Sequence, residues 1–212
     1  MTDQPGLWIE DASHRHDLSV FAERARSIDD AAVVRLRMRS DGLLGAWVAT
    51  GFDVLAARVV AGTVRPSDMT CAADQLATGL RSGQAHVETG YPMDSAWRGA
   101  LPPETGFVHL DDVPAAVVAD LARSGADLAR EHGGHGPTAS LLEQEVLHVS
   151  GGGDAVAVPM RCVLALAAMR FIPENPGADE VIRVRTSPSW LRIDARYGSV
   201  AGRRNDFAVT VR

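Results

Sequence analysis

The sequence contains no lysine, and all 21 of its basic residues are arginine. This absence excludes several mechanisms. Schiff-base catalysis, phosphate binding by a P-loop and catalysis by a protein kinase each need the ammonium group of a lysine on its flexible stem. An arginine-only composition rich in alanine and valine is also typical of a GC-rich genome. Mutational bias therefore explains part of the pattern, and the excluded enzyme classes stay excluded.

Cysteine and long apolar runs are scarce as well. Cys71 and Cys162 lack the paired spacing of a zinc knuckle or redox motif, so we expect reduced thiols. The longest apolar stretch, residues 155–172, is interrupted by Pro159 and two arginines, whereas a membrane span needs about 20 mostly uncharged residues. The N-terminus has neither the basic start nor the apolar run of a secretory signal. We therefore expect a cytoplasmic protein with no membrane crossing.

Residues 131–137, E-H-G-G-H-G-P, hold the most conspicuous histidines. His132 and His135 are three residues apart, whereas a helical zinc site such as H-E-x-x-H needs a spacing of four. Glycines followed by Pro137 are typical of a helix end, where a histidine meets the negative end of the helix dipole. We predict a helix end and a loop here, with metal binding as the alternative that is not favoured.

The other short motifs are incomplete. The H-G-G letters resemble the oxyanion loop of esterases, but the chain has no G-x-S-x-G elbow. Residues 86–88, H-V-E, match only half of the zinc deaminase signature. The glycines of residues 150–153 lack the G-x-G-x-x-G spacing of a nucleotide loop and are better explained by a hairpin turn. We therefore assign no catalytic residue, no metal ligand and no cofactor.

Hydrophobic periodicity predicts an α+β protein. Apolar spacing and capping residues predict helices at 16–28, at 69–80, from Asp112 towards His132 with Pro114 in the first turn, and at 159–171. Alternation and β-branched content predict strands at 34–39, 43–50, 54–64, 181–185, 190–196 and 207–211, and a hairpin within 141–158. Each part of the chain is predicted to form a small, mainly antiparallel sheet with helices packed on one face.

The chain is predicted to contain two domains. Between Gly90 and Gly106 the periodicity fails and three prolines intervene, which is typical of a linker. We place the boundary near residue 104, with an N-terminal α+β domain over 1–103 and a C-terminal α+β domain over 104–212.

Two segments of the chain share a pattern. Residues 33–37, V-V-R-L-R, and 181–185, V-I-R-V-R, each follow a predicted helix and precede another strand. A diverged repeat of a helix-strand-strand unit would produce this echo. Any half-exposed strand of an arginine-only protein would also look like this, and we favour that explanation.

Arginine is concentrated on predicted strands, where guanidinium groups on neighbouring strands repel one another unless something neutralises them. The favoured explanation is pairing within the chain, in which each exposed pair contributes under about 1 kcal/mol. The carboxylates available for it are Asp29, Asp30, Asp179, Glu180 and Asp194. The alternative is an anionic ligand or nucleic-acid backbone, which guanidinium binds bidentately. The candidate anion-binding residues are Arg35, Arg37, Arg39, Arg183, Arg185, Arg192 and Arg196.

The net charge of -6 is unevenly distributed along the sequence. Residues 1–110 carry 10 arginines against 14 acids, residues 111–159 carry 2 against 8, and residues 160–212 carry 9 against 5. The basic end either binds an anionic partner or docks on the acidic middle of the chain. We favour docking within the chain.

Three stretches, L-L-E-Q-E-V-L at 141–147, V-P-M-R at 158–161 and W-L-R-I-D-A-R-Y-G-S at 190–199, resemble an uncharacterised protein family of actinobacteria. The resemblance covers mostly the C-terminal half. We know of no activity for that family, so it implies no site residue. It implies only a bacterial cytoplasmic setting.

These observations favour a non-enzymatic cytoplasmic binding or assembly module, including a homo-oligomer that uses sheet edges or the arginine-bearing faces. The second hypothesis is an anion-directed binder of nucleic acid or a phosphorylated ligand. The third is a hydrolase with histidine and carboxylates at the inter-domain cleft. Specific DNA reading is not favoured, because a winged-helix outline over 159–196 offers mainly Arg161 and Arg170 to base edges.

Overall fold

A computed structural model of the chain describes residues 6–131 and 136–204. The helices within these residues are α1 (Ala12–Ile28), α2 (Ala73–Arg81), α3 (Ala115–Glu131), α4 (Ala139–Glu143) and α5 (Met160–Ala168). The strands are β1 (Gly6–Trp8), β2 (Val33–Met38), β3 (Leu44–Ala49), β4 (Leu55–Val60), β5 (Thr63–Arg65), β6 (Asp68–Ala72), β7 (His86–Val87), β8 (Val108–Pro114), β9 (Glu145–Gly151), β10 (Asp154–Pro159), β11 (Val181–Ser187), β12 (Trp190–Ala195) and β13 (Gly198–Arg203). The predicted α+β class is confirmed.

The chain forms two compact units. The first unit comprises Met1–Gly51 and Leu55–Glu104, and the second comprises Phe52–Val54 and Thr105–Arg212. A three-residue segment from the N-terminal half therefore belongs to the second unit. The domain limits of 1–103 and 104–212 stay a prediction about independent folding.

In the first unit, strands β6, β2, β3 and β4 are neighbours in an antiparallel sheet. Strands β5, β1 and β7 form a separate antiparallel sheet of three. Because side chains alternate along a strand, Val34 and Leu36 of β2 are fully buried while the arginines between them lie on the other face. The buried core also contains Leu18 and Phe21 of α1 and Leu76 of α2.

In the second unit, strands β13, β12, β11 and β8 are neighbours in an antiparallel sheet, and β9 and β10 form a hairpin. One face of the four strands is apolar, with Ile182, Val184 and Ile193 buried. These side chains meet Val118 of α3 and Val163 of α5 around a cavity of only about 10 Å³. The core around this cavity is therefore closely packed.

Two of the predicted helices begin later than expected, because strands occupy their first residues. Residues 68–72 form β6, whose Met69 and Cys71 lie opposite Leu36 and Val34 of β2 and are buried with them. Likewise Pro114 ends β8 instead of opening a helix, and α3 begins at the next residue. Pairing with a neighbouring strand outweighed the local helix signals in both places.

The two strands that echo each other in sequence have equivalent surroundings. In the first unit α1 is followed by the antiparallel strands β2, β3 and β4, and in the second unit α5 is followed by β11, β12 and β13. The echoing segments are thus the first strands of two matching helix-plus-meander arrangements. The predicted strand at 207–211 and the residues His132 and His135 lie outside the described residues.

None of the helices described between residues 6 and 204 combines the length and the apolar character that a membrane crossing requires.

Candidate functional site

A carboxylate lies beside each of the seven arginines predicted to bind anions. In the first unit, Asp68 accepts two hydrogen bonds of 2.7 Å from Arg35 and lies 3.8 Å from Nε of Arg37. Just after β2, Arg39 pairs with Asp41 at 2.7 Å. The hydrogen bonds to these two carboxylates are the main reason why the pKa of Arg35 and of Arg39 is raised above its ordinary value. Anion binding by these residues stays a prediction.

A shallow pocket of about 380 Å³ lies beside Arg35. The guanidinium carbon of Arg35 is 5.7 Å from the centre of the Trp97 ring, a cation–π distance. The pocket is also lined by Asp68 and Asp94, so its carboxylates outnumber its one guanidinium. An anion would therefore have to displace a carboxylate that already holds Arg35.

In the second unit, four arginines share the face of the sheet that points away from the apolar core. We call this surface the arginine face, and its members are Arg183, Arg185, Arg192, Arg203, Asp112, Asp194, Phe107 and Trp190. The strand register places Arg185 opposite Arg192, Arg183 opposite Asp194, and Trp190 opposite Arg203. The structure thus brings together three of the predicted residues and adds a fourth cation.

Asp194 is shared by two guanidinium groups of the arginine face. Its Oδ2 lies 3.1 Å from Arg185, and its Oδ1 accepts a 2.7 Å hydrogen bond from Nε of Arg192. Arg183 is held less closely, with its Nε 3.8 Å from Asp112, and its side chain is 56% exposed. One carboxylate therefore compensates two cations at the centre of the face, while Arg183 remains largely in solvent.

The remaining predicted arginine, Arg196, follows β12 and lies apart from this cluster. It pairs with Glu180 at 2.8 Å, and this hydrogen bond is the main cause of its raised pKa. Of the carboxylates that the sequence offered as internal partners, Glu180 pairs with Arg196, and Asp194 pairs with Arg185 and Arg192.

Sequence reasoning did not select Arg203, the fourth cation of the arginine face. Its guanidinium carbon lies 4.1 Å from the centre of the Trp190 ring, and that of Arg192 lies 5.7 Å from the Phe107 ring. No carboxylate pairs with Arg203 among the described residues. The sequence offered one signal for Arg203. In the short run V-A-G-R, residues 200–203, it lies two positions after Ala201, and in a strand it therefore shares a face with that small residue.

The arginines of α1 and α3 differ in their ion pairing. Arg24 and Arg26 of α1 have no carboxylate within ion-pair distance in the described part of the chain. On α3, in contrast, Arg123 binds Asp120 one helical turn away, and Arg130 is paired in the same way. The first unit thus carries helix cations that are available to an outside anion.

Groups suited to metal or thiol chemistry are not assembled in the described residues. Between residues 6 and 131 and between 136 and 204, no three His, Cys, Asp or Glu side chains are grouped to hold a metal ion. Burial raises the pKa of the Cys71 and Cys162 thiols to about 12, so both are protonated at neutral pH. His14 accepts a hydrogen bond of 2.5 Å from the backbone N–H of Ala61, and the ring of His86 contacts that of Trp8.

Two families of unknown function match adjacent parts of the sequence. Domain of unknown function (DUF8010) matches residues 2–99, and Domain of unknown function (DUF8185) matches residues 102–206. No curated protein matches the chain significantly. The expected link to uncharacterised proteins is therefore supported.

Solved structures resemble the chain over nearly its whole length. The DNA polymerase sliding clamp from Bacillus subtilis has a TM-score of 0.59 at 11% identity over 94% of the chain. The sliding clamp from Caulobacter crescentus has a TM-score of 0.56 at 15% identity over 98%, and the DNA polymerase III subunit beta from Pseudomonas aeruginosa 0.55 at 12% over 89%. The fold is that of a sliding clamp.

The clamp-like chain is shorter than these clamps. It covers 64% of the Bacillus subtilis protein, 62% of the Pseudomonas aeruginosa protein and 67% of the Caulobacter crescentus protein. It thus spans about two thirds of their length. At identities of 11% to 15% the likeness concerns the path of the backbone and carries over no individual side chain.

Proposed function

We propose that this chain is a non-enzymatic binding module of sliding-clamp fold that associates with DNA. The observation that carries the proposal is the match of 94% of the chain to a DNA polymerase sliding clamp with a TM-score of 0.59. The name of that protein, DNA polymerase sliding clamp, refers to DNA polymerase. Because of this match, we favour DNA over the phosphorylated ligand that the sequence analysis also left open.

The cations available for such contacts support the proposal. A protein binds DNA non-specifically by bringing arginines to phosphates and releasing counterions, which requires guanidinium groups that are not already neutralised. Arg24 and Arg26 of α1 meet this condition among the described residues, while Arg35, Arg185 and Arg192 of the strands are held by Asp68 or Asp194. We therefore assign the first DNA contacts to α1.

A second part of the proposal is self-association in a cytoplasmic setting, as expected for an assembly module. Sedimentation velocity of the full chain over a range of concentrations measures it directly. A concentration-dependent rise in sedimentation coefficient supports an assembling module, and a constant monomer value removes assembly from the proposal. DNA binding is measured separately, so the two results are independent.

The DNA contacts are tested by salt dependence. Fluorescence anisotropy of a labelled duplex is recorded with the full chain at NaCl concentrations from about 50 to 200 mM. Replacing both Arg24 and Arg26 with glutamine removes two phosphate contacts, so the slope of log K against log salt should become shallower by about 1.8.

The double variant Arg123→Gln with Arg130→Gln is the matched control. It removes the same charge from exposed positions of α3, where both arginines are already paired with aspartates. Its salt slope should equal that of the unmodified chain. Absence of salt-dependent binding by the unmodified chain, or an equal change of slope in both double variants, contradicts the proposal.

A further inference from the structure

The arginine face of the second unit carries an excess of positive charge on an acidic protein. Its four guanidinium groups face two carboxylates, Asp112 and Asp194, while the whole chain has a net charge of -6. We infer that the arginine face docks an acidic peptide segment of a partner protein. Neither the clamp-like fold nor the proposed DNA contacts of α1 require this surface.

The arrangement of the charges costs stability in the isolated chain. Arg185 and Arg192 are directly opposite on neighbouring strands, and like charges in such a cross-strand pair repel each other. Asp194 relieves only part of this repulsion because it is a single carboxylate between two guanidinium groups. A carboxylate supplied from outside would compensate the remaining charge.

Two of the four guanidinium groups are held in place for such a contact. The guanidinium carbon of Arg203 lies 4.1 Å from the centre of the Trp190 ring and that of Arg192 lies 5.7 Å from the centre of the Phe107 ring, so both groups are within cation–π range of an aromatic ring. A stacked guanidinium keeps its N–H groups at its edge, where they are available to a carboxylate in bidentate geometry. Stacking also reduces the side-chain entropy lost on binding, because the groups are already ordered.

A peptide fits this surface better than a nucleic acid does. Single-stranded nucleic acids gain affinity when bases stack on open aromatic rings. Trp190 is only 6% exposed and is covered by Arg203, so it offers no such ring. The two carboxylates within the face would also repel a continuous phosphate backbone, whereas a peptide can place neutral residues beside them.

The spacing of the arginines indicates the form of the peptide. Arg183 and Arg185 are two positions apart on β11, a separation of about 6.6 Å along the strand. Carboxylates at alternate positions of an extended peptide have the same repeat and project to one side. The expected ligand is therefore an extended segment with acidic residues at every second position.

Binding is tested with fluorescein-labelled peptides and the full chain. An eight-residue peptide alternating glutamate and serine is compared with one alternating glutamine and serine by fluorescence anisotropy at low salt. We expect the glutamate peptide alone to bind. Replacing both Arg183 and Arg203 with glutamine should weaken its binding roughly tenfold, because two exposed charge pairs are lost.

Three controls decide the outcome. The double variant Arg123→Gln with Arg130→Gln lowers the net charge of the same unit equally and should bind the glutamate peptide as tightly as the unmodified chain. Thermal unfolding followed by circular dichroism shows whether the variants are folded, and a single Arg203→Gln replacement serves if the double variant is not. A labelled oligothymidylate, used in place of the peptide, tests whether the arginine face binds single-stranded nucleic acid instead.

The inference is overturned if the glutamine peptide binds equally well, or if both double variants lose the same affinity. It is also overturned if oligothymidylate binds more tightly than the peptide and depends on Arg183 and Arg203. Because the proposed DNA contacts lie on α1, a failed peptide test leaves the salt-slope result unchanged.

Discussion

Asp154 secures the start of β10 through its side chain. It accepts a 2.6 Å hydrogen bond from Arg204 and a 2.8 Å hydrogen bond from the hydroxyl of Thr186. The bond from Arg204 contributes most to lowering the pKa of Asp154 far below its usual range, followed by the bond from Thr186. The ionised carboxylate therefore stabilises the attachment of the hairpin to β11 within the second unit.

Replacement of Asp154 by asparagine should lower the stability of the folded chain at neutral pH, because the charge that Arg204 and Thr186 hold is removed. The folded pKa lies below the unfolded value of about 3.9, so the stabilisation is complete above that value and disappears as pH falls through the folded pKa. The urea midpoints of the Asp154→Asn variant and of the unmodified chain should differ by a constant amount from neutral pH to about pH 5. They should approach each other as the pH falls below about 4.

Asp179→Asn is the matched control, since it removes an exposed carboxylate from the same unit. It should leave the urea midpoint unchanged across the pH range. A gap between Asp154→Asn and the unmodified chain that widens as pH falls would have the wrong sign for this mechanism.

Among the elements, β6 is protected along its outer edge by the segment that follows β7. The carboxylate of Asp94 accepts a 2.7 Å hydrogen bond from the backbone N–H of Thr70, and the N–H of Met93 donates to the carbonyl of Thr70 at 2.8 Å. Thr70 is 2% exposed, so water does not easily replace these bonds. Covering an edge in this way prevents strand pairing with other molecules.

Asp94→Ala should therefore destabilise the chain by about 1–3 kcal/mol, because a buried backbone N–H is left without its acceptor. It should also increase self-association, since the edge of β6 is uncovered. Urea unfolding and sedimentation velocity measure the two effects. Asp30→Ala removes another exposed aspartate of the first unit and should change neither, while equal stability of the two variants would argue against the protective role of Asp94.

The elements also show what could be predicted from the sequence and why. Strong periodicity located α1, α5 and the strands β2, β11 and β12, because their apolar faces are decided locally. The sequence predicts helix starts within β6 and β8, because the apolar spacing of 69–80 is helical and Asp112 and Pro114 are typical helix-start residues. Their true state depends on pairing with β2 and β11, which lie far away in sequence.

For the candidate site, the sequence supplied the arginines but not their grouping. Alternation on β11 and β12 placed Arg183, Arg185 and Arg192 on exposed faces, as the structure has them. The adjacency of Arg203 depends on β13 pairing with β12, and its contact with Trp190 follows from that register. Neither is encoded in local spacing.

At the scale of the whole molecule, neither of the two units is a continuous segment of the sequence. The second unit includes Phe52–Val54 from the N-terminal half. Val54 is 3% exposed, and its Cγ1 lies only 3.2 Å from where a side chain on Gly202 of β13 would begin. A cut at residue 104 therefore separates part of the second unit from its own core.

Expressed as separate fragments, 1–103 and 104–212 should differ in stability relative to the intact chain. We propose that each folds, and that 104–212 loses about 1.5–3 kcal/mol because the burial of Val54 is lost. Circular dichroism melts of both fragments and the full chain measure this. As a control, 104–212 is mixed with a peptide of residues 50–58, which should restore part of the loss. No effect of the peptide would contradict the role given to Val54.

The position of Phe52–Val54 also imposes an order on synthesis. These residues leave the ribosome roughly fifty residues before Thr105, and well before β13, against which Val54 packs. The nascent chain must therefore carry Val54 uncovered while most of the second unit is still being translated. The second unit cannot cover Val54 until β13 has been synthesised, so premature termination upstream of Gly198 would leave an apolar surface exposed to chaperones and proteases.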